Sequence, residues 1–161
     1  MRFTSSSVNL YLDLLSRIAA ITATAIVSIL IAITMSFASP VNVDANGLAL
    51  QGYDPVAYFT DGKPVKGSPD FTAEYDGATY HFASAEHQSS FTADPAKFAP
   101  QYGGYCAYGL SLGSKAPVEV DKFSIVDGKL YLNFNGDIQS RWTKDVPGYV
   151  AKADENWTNI E

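Results

Sequence analysis

The sequence predicts an α+β domain in which short helices cover a small, antiparallel, hairpin-rich sheet. Two segments share the order strand, Asp-Gly turn, strand, helix, one turning at Asp76-Gly77 and the other at Asp127-Gly128. Asp-Gly between alternating apolar residues is a strong hairpin signal, because both central positions of the tight turn take a positive φ. After each hairpin, residues four apart, His87 with Phe91 and Ile138 with Trp142, fall on one stripe of a short helix.

The beginning of the chain reads as an address rather than as fold. Arg2 and Arg17 precede the apolar run Ile18 to Met35, and Ser36-Phe37-Ala38 places small residues three and one positions before a cut after Ala38. The expectation is a signal peptide over residues 1–38 and an exported protein of the periplasm or the extracellular space. A rival reading keeps residues 18–35 as an uncleaved membrane anchor, near the lower length limit for a bilayer core of about 30 Å. Thr22, Thr24, Ser28 and Thr34 inside the run weaken that reading.

The chain of 161 residues carries 17 acidic and 11 basic side chains, a net charge of −6. Without Arg2, Arg17 and Asp13 the balance is 16 to 9, net −7. Such a surface repels phosphate backbones and anionic lipid, which makes nucleic acid and membrane surfaces poor partners. The part after Ala38 suits one domain with one core, and its aromatic content fills that core without a disulfide. The single cysteine has no internal partner, so it is a buried inert thiol, a metal ligand or a reactive group.

Residues 39–47 read as a linker and 48–157 as the folded domain. Asp54-Pro55 initiates a turn, and Val56 to Phe59 reads as a short strand. In the first hairpin, Tyr75 faces Ala78, so Phe71, Ala73, Tyr75, Ala78, Tyr80 and Phe82 share a face, while Thr72, Glu74, Thr79 and His81 point away. Ser84 then caps a helix over Ala85 to Ala93, which Asp94-Pro95 ends. In the second hairpin Val126 faces Lys129, grouping Phe123, Ile125, Leu130, Leu132 and Phe134 and sending Ser124, Val126, Tyr131 and Asn133 to the other face. A helix around Ile138 and Trp142 breaks near Pro147-Gly148, and Tyr149 to Trp157 forms the last one. Both segments contain Asp-Gly-x-x-Tyr, but Tyr80 lies on the apolar face and Tyr131 on the opposite one. The likeness therefore reads as turn chemistry and not as a duplicated unit.

The chemistry-bearing residues gather between Tyr80 and Cys106, a stretch that holds both histidines and the only cysteine. His87 turns toward the sheet, and an inward imidazole must satisfy two nitrogens through hydrogen bonds or a metal. His81 lies on the polar side of its strand and is read as solvated. Cys106 sits in Gly103-Gly104-Tyr105-Cys106-Ala107-Tyr108-Gly109, with no basic residue between Lys97 and Lys115 to favour a thiolate. Tyr58 is a core aromatic or a hydrogen bonder at a site. A closed zinc site needs four Cys or His donors, and the chain has at most three, so any metal must recruit Asp, Glu, Tyr or water, or accept few ligands as Cu(I) does. Phosphate-loop and His-Glu-x-x-His patterns are absent from the sequence.

Five stretches in one order resemble exported, single-domain YHS-domain proteins. They are Gly52-Tyr53-Asp54-Pro55-Val56-Ala57-Tyr58-Phe59, then Tyr75-Asp76-Gly77 with Tyr80-His81-Phe82-Ala83-Ser84, then Phe91 with Asp94-Pro95. Gln101-Tyr102-Gly103-Gly104-Tyr105-Cys106-Ala107 and Asp127-Gly128-Lys129-Leu130-Tyr131-Leu132-Asn133 complete the set. YHS domains are in turn similar to TRASH-like metal-binding domains, which use cysteines in Asp-Pro-Val-Cys and Phe-Cys-Ser-x-x-x-Cys motifs and often accompany cation-transporting ATPases. Here Ala57 and Ala83 stand at two of those cysteine positions, and His87 stands at the third. The resemblance implies a non-enzymatic module that binds a transition-metal ion, copper rather than zinc, for sequestration or delivery. His87 and Cys106 are its expected ligands, with Tyr58 or Asp54 nearby. Two alternatives stay open: a metal-free protein-interaction or accessory domain that docks through Tyr102, Tyr105 or Tyr108, and a thiol enzyme with a Cys106/His87 pair.

Overall fold

The structure, a computed structural model, describes residues 41–160. The expected signal peptide, its cleavage after Ala38 and the alternative anchor at 18–35 lie outside the described residues. The domain is α+β, with six α-helices and two separate two-stranded antiparallel sheets among the described residues. Strands β1 (Ser68–Tyr75) and β2 (Ala78–Phe82) form the first sheet, and β3 (Glu119–Val126) and β4 (Lys129–Asn133) form the second. The helices are α1 (Ala57–Thr60), α2 (Ala85–Ala93), α3 (Pro95–Phe98), α4 (Ala107–Ser111), α5 (Gly136–Trp142) and α6 (Val146–Trp157).

Both Asp-Gly turns form as expected, with Asp76 at φ 49° and Gly77 at 76°, and Asp127 at 51° and Gly128 at 73°. Helix α2 spans the predicted residues, and the Ser84 hydroxyl accepts the His87 N–H at 3.2 Å. Two expectations change. Val56 to Phe59 is not a strand: Asp54 accepts the N–H groups of Val56 and Ala57, and those bonds start α1. The last helix begins at Val146 rather than Tyr149, because Pro147 is tolerated in a first turn and the Asp145 carboxylate accepts the Gly148 N–H at 3.1 Å.

The two halves repeat one another, contrary to the reading of a shared turn alone. Hairpin β1–β2 pairs Ser68 with Phe82, Thr72 with His81, Ala73 with Tyr80, Glu74 with Thr79 and Tyr75 with Ala78. Adding 51 to every number gives the register of β3–β4, from Glu119 with Asn133 to Val126 with Lys129, including the irregularity after the first pair. Before each hairpin stands a left-handed turn, Leu50-Gln51-Gly52 and Tyr102-Gly103-Gly104, with φ between 52° and 82° throughout. Such conformations cost about 1–2 kcal/mol per non-glycine residue, so runs of three are rare. Each turn leads to a tyrosine under a lysine ammonium, Lys66 over Tyr53 and Lys115 over Tyr105. Each next residue, Asp54 or Cys106, accepts from the backbone N–H three positions on. After each hairpin a capped helix carries a buried ring, Phe91 or Trp142.

What differs is how the faces are used. In the first hairpin Thr72 and Glu74 are exposed and only one face is apolar. In the second, Leu130 and Leu132 join Val56, Tyr58, Tyr80, Phe82 and Phe91 in the first core, while Tyr131 joins Tyr102, Leu110, Trp142 and Ala153 in a second. Strand β4 is thus buried on both sides from Leu130 to Asn133, and the expected single core is two cores that share it. The Tyr131 face, expected to be the less apolar one, is covered by α4, α5 and α6.

Phe91 packs against the rings of Tyr75, Tyr80 and Phe82 at centroid distances of 4.8 to 6.0 Å. Phe91→Ala is expected to cost about 3–5 kcal/mol and Leu132→Ala about 2–5 kcal/mol in urea unfolding. Both variants should unfold in one transition, since the two cores share β4; separate transitions by tyrosine and tryptophan fluorescence would refute that coupling.

Candidate functional site

Asp54 organises the first half. It is fully buried, and its two carboxylate oxygens take four donors. Oδ1 accepts Val56 N–H at 2.8 Å and Ala57 N–H at 3.4 Å; Oδ2 accepts Ala83 N–H at 2.8 Å and His87 Nδ1–H at 2.6 Å. One side chain thereby ties the turn before α1 to the end of β2 and to α2. A carboxylate offers about four lone-pair positions, so this one is saturated by the protein itself. Asp54 is therefore an orienting group rather than a free metal donor.

His87 reaches Asp54 because Ser84 starts α2 just after β2, which sets the imidazole one turn into the helix beside the carboxylate. The carboxylate accepts, so Nδ1 carries a proton, and in the neutral imidazole Nε2 is then the nitrogen that holds the lone pair. Nε2 lies 3.4 Å from the Thr60 hydroxyl, which is itself 2.9 Å from the Asp61 carboxylate. The His87 side chain is 20% exposed, against none for Asp54. The arrangement is a carboxylate-oriented imidazole whose second nitrogen meets the Thr60 hydroxyl, and carboxylate orientation of this kind fixes tautomer and ring position in histidine metal ligands. Thr60 was not expected here; its place follows from α1 being a helix, which turns it toward α2.

The remaining candidates have other partners. The Tyr58 hydroxyl donates to the Val120 carbonyl at 3.0 Å, its ring stands edge-on to Phe123 at 4.8 Å, and burial holds its hydroxyl far above the usual tyrosine range. The Cys106 sulfur is buried, accepts the Gly109 N–H at 3.4 Å and lies 3.9 Å from Asn133 Oδ1. No hydrogen-bond partner is common to Cys106 and His87, and the two do not bond to each other. A nucleophile–base pair has no such contact to stand on. His81 is half-buried, with its Nδ1 beside Gly52. Tyr102 is buried, its hydroxyl donating to Asp154 at 2.8 Å, and Tyr105 and Tyr108 are half-buried against Trp157 and Tyr149. None of the three is an exposed docking residue.

Among the described residues no group of three or more His, Cys, Asp or Glu side chains is arranged to hold a metal ion. A cavity of about 560 Å³ opens between the two hairpin turns, lined by Tyr75, Asp76, Lys97, Tyr102, Asp127 and Trp157; neither His87 nor Cys106 lines it. No helix among the described residues is long and apolar enough to cross a membrane. Residues 56–102 match the family model described as YHS domain. No curated protein and no solved structure matches the chain. The YHS match contains α1, the first hairpin and α2, hence Tyr58, Thr60 and His87, while Asp54 and Cys106 fall just outside it.

Asp54→Ala leaves the N–H groups of Val56 and Ala83 buried without an acceptor and is expected to cost about 3 kcal/mol or more in denaturant unfolding. Cys106→Ser removes only weak sulfur contacts and should cost under about 1.5 kcal/mol. Iodoacetamide should label Cys106 slowly in the folded protein and rapidly in urea; rapid labelling of the native form would contradict the burial.

Proposed function

We propose that this protein is a non-catalytic metal-binding module, exported and of copper type, in which His87 is the ligand and Asp54 positions it. The single observation behind the reading is the Nδ1–H of His87 held on a buried, saturated carboxylate while Nε2 lies beside the Thr60 hydroxyl on a side chain that is partly exposed. The YHS domain supports a metal-related role at the coarser level. The donor set limits the kind of binding. A caged ion held by four protein groups does not fit the described residues, whereas a labile ion on one imidazole does. That favours delivery over storage, with the partner or solvent completing the coordination. When bound, the metal supplies a soft or borderline Lewis acid to that partner. The chain's own residues present one lone pair, keep its tautomer fixed and shield the buried carboxylate from water.

Titration of Cu(I), Cu(II) and Zn(II) into the purified protein, stripped of metal beforehand, tests this reading. His87→Ala is expected to abolish the strongest site, and Asp54→Asn to weaken it about 10- to 100-fold by loosening the imidazole. Cys106→Ser should leave affinity within a few-fold. Absence of saturable binding in the wild type, or loss of binding in Cys106→Ser alone, would defeat the assignment.

A further inference from the structure

Thr60 stands between the His87 ring and a carboxylate that has no part in the proposed site. Its hydroxyl lies 3.4 Å from His87 Nε2, 2.9 Å from Asp61 Oδ1 and 3.2 Å from the Val56 carbonyl. A hydroxyl has one proton to donate, and three acceptors surround it, since Nε2 holds the lone pair of the neutral imidazole. The carboxylate is the strongest of the three and the nearest, so the proton goes to Asp61. Oγ1 and Nε2 then face one another as two acceptors, with an anionic oxygen beside them. That grouping calls for a positive charge. The internal repeat supplies a second observation. Counting on from the paired Asp54 and Cys106, Thr60 and Asp61 correspond to Leu112 and Gly113, and Ile138 stands in the place of His87. Imidazole, hydroxyl and carboxylate are therefore present together in one copy and missing together from the other. Packing does not dictate the difference, because Thr60, Asp61 and Leu112 are all exposed.

We infer that Asp61 is the second, anionic ligand of the His87 site and that it sets the preference of that site for a divalent ion, Cu(II) or Zn(II), over Cu(I). The inference rests on the metal-binding reading of His87 and adds to it the residue that selects the oxidation state. Asp61 ends α1, where its N–H bonds to the Ala57 carbonyl, and among the described residues Thr60 is the one group hydrogen-bonded to its carboxylate. With an ion on Nε2, the carboxylate exchanges the Thr60 proton for that ion. Asp54 cannot play this part, because its two oxygens already take four donors. An imidazole and a carboxylate together suit borderline divalent ions, whereas Cu(I) favours soft sulfur donors and gains little from a carboxylate. Two protein donors leave the remaining positions to water or a partner, so the ion stays exchangeable.

Titration of the metal-stripped full chain with Cu(II) and, under anaerobic conditions, with Cu(I) tests the assignment in wild type, Asp61→Asn and Asp61→Glu, with EPR spectra of the Cu(II) complexes beside the affinities. Asp61 is exposed, so both variants should keep the wild-type circular dichroism and Tm. Asp61→Asn is expected to weaken Cu(II) binding about tenfold or more, to leave Cu(I) binding within about threefold, and to change the g and hyperfine values of the Cu(II) spectrum. Asp61→Glu keeps the charge and the oxygens and should recover most of the affinity. A smaller loss of Cu(II) binding in Asp61→Asn, or an equal loss for both ions, overturns the role of Asp61 and leaves the imidazole site standing. So does a weakened affinity with an unchanged EPR spectrum, since the carboxylate would then act through its field and not as a ligand. Absence of Cu(II) binding in the wild type overturns this inference and the His87 reading together.

Discussion

The buried carboxylate of Asp54 is the constraint on which the first half of the molecule depends. Four hydrogen bonds from three separate stretches of chain converge on two oxygens, so the turn, the end of β2 and the start of α2 have one common reference point. Burying a charged group is costly unless its lone pairs are met, and here they are met by backbone N–H groups and an imidazole. The functional side chain inherits its precision from this arrangement. His87 is not held by its own helix alone but by a group anchored more firmly than any exposed residue.

The second half keeps the same framework and gives that reference point up. Cys106 accepts one backbone N–H where Asp54 accepts three and an imidazole N–H besides, Ile138 replaces the histidine and Phe134 replaces Ala83 at the strand end. In exchange, the outward face of its hairpin has become apolar, with Leu130 and Leu132 closing the first core. One copy carries the polar site and the other carries the hydrophobic surface that completes it. Phe134, at 45% exposed, and Leu112, at 65%, mark where the apolar side chains of the second copy reach the surface.

Much of this was legible in the sequence, because the governing signals are local. Asp-Gly fixed both turns, alternation fixed both registers, and Ser84 with Asp94-Pro95 fixed the bounds of α2. The errors came from effects that are not local. Val56 to Phe59 is β-prone, and only the Asp54 side chain, reaching two and three residues forward, turns it helical. The duplication is masked because the apolar faces of the two hairpins do not correspond, β4 being buried on both. Aligning the two Asp-Gly pairs and reading outward would have placed Phe82 opposite Asn133 and Phe91 opposite Trp142. His87 and Asp54 were both legible as candidates, but their direct bond was not, since 33 residues separate them. Sequence proximity instead suggested His87 with Cys106, which the fold gives to different copies of the same unit.

Sharing β4 has a further consequence for what counts as a unit. The segment that matches the YHS model stops at Tyr102, before the strand that roofs its own aromatic cluster has been made. The matched segment and the folding unit therefore have different bounds. Excised at its recognised boundaries, the segment would expose Tyr80, Phe82 and Phe91 to water, and biosynthesis must reach Asn133 before even the earlier copy can settle.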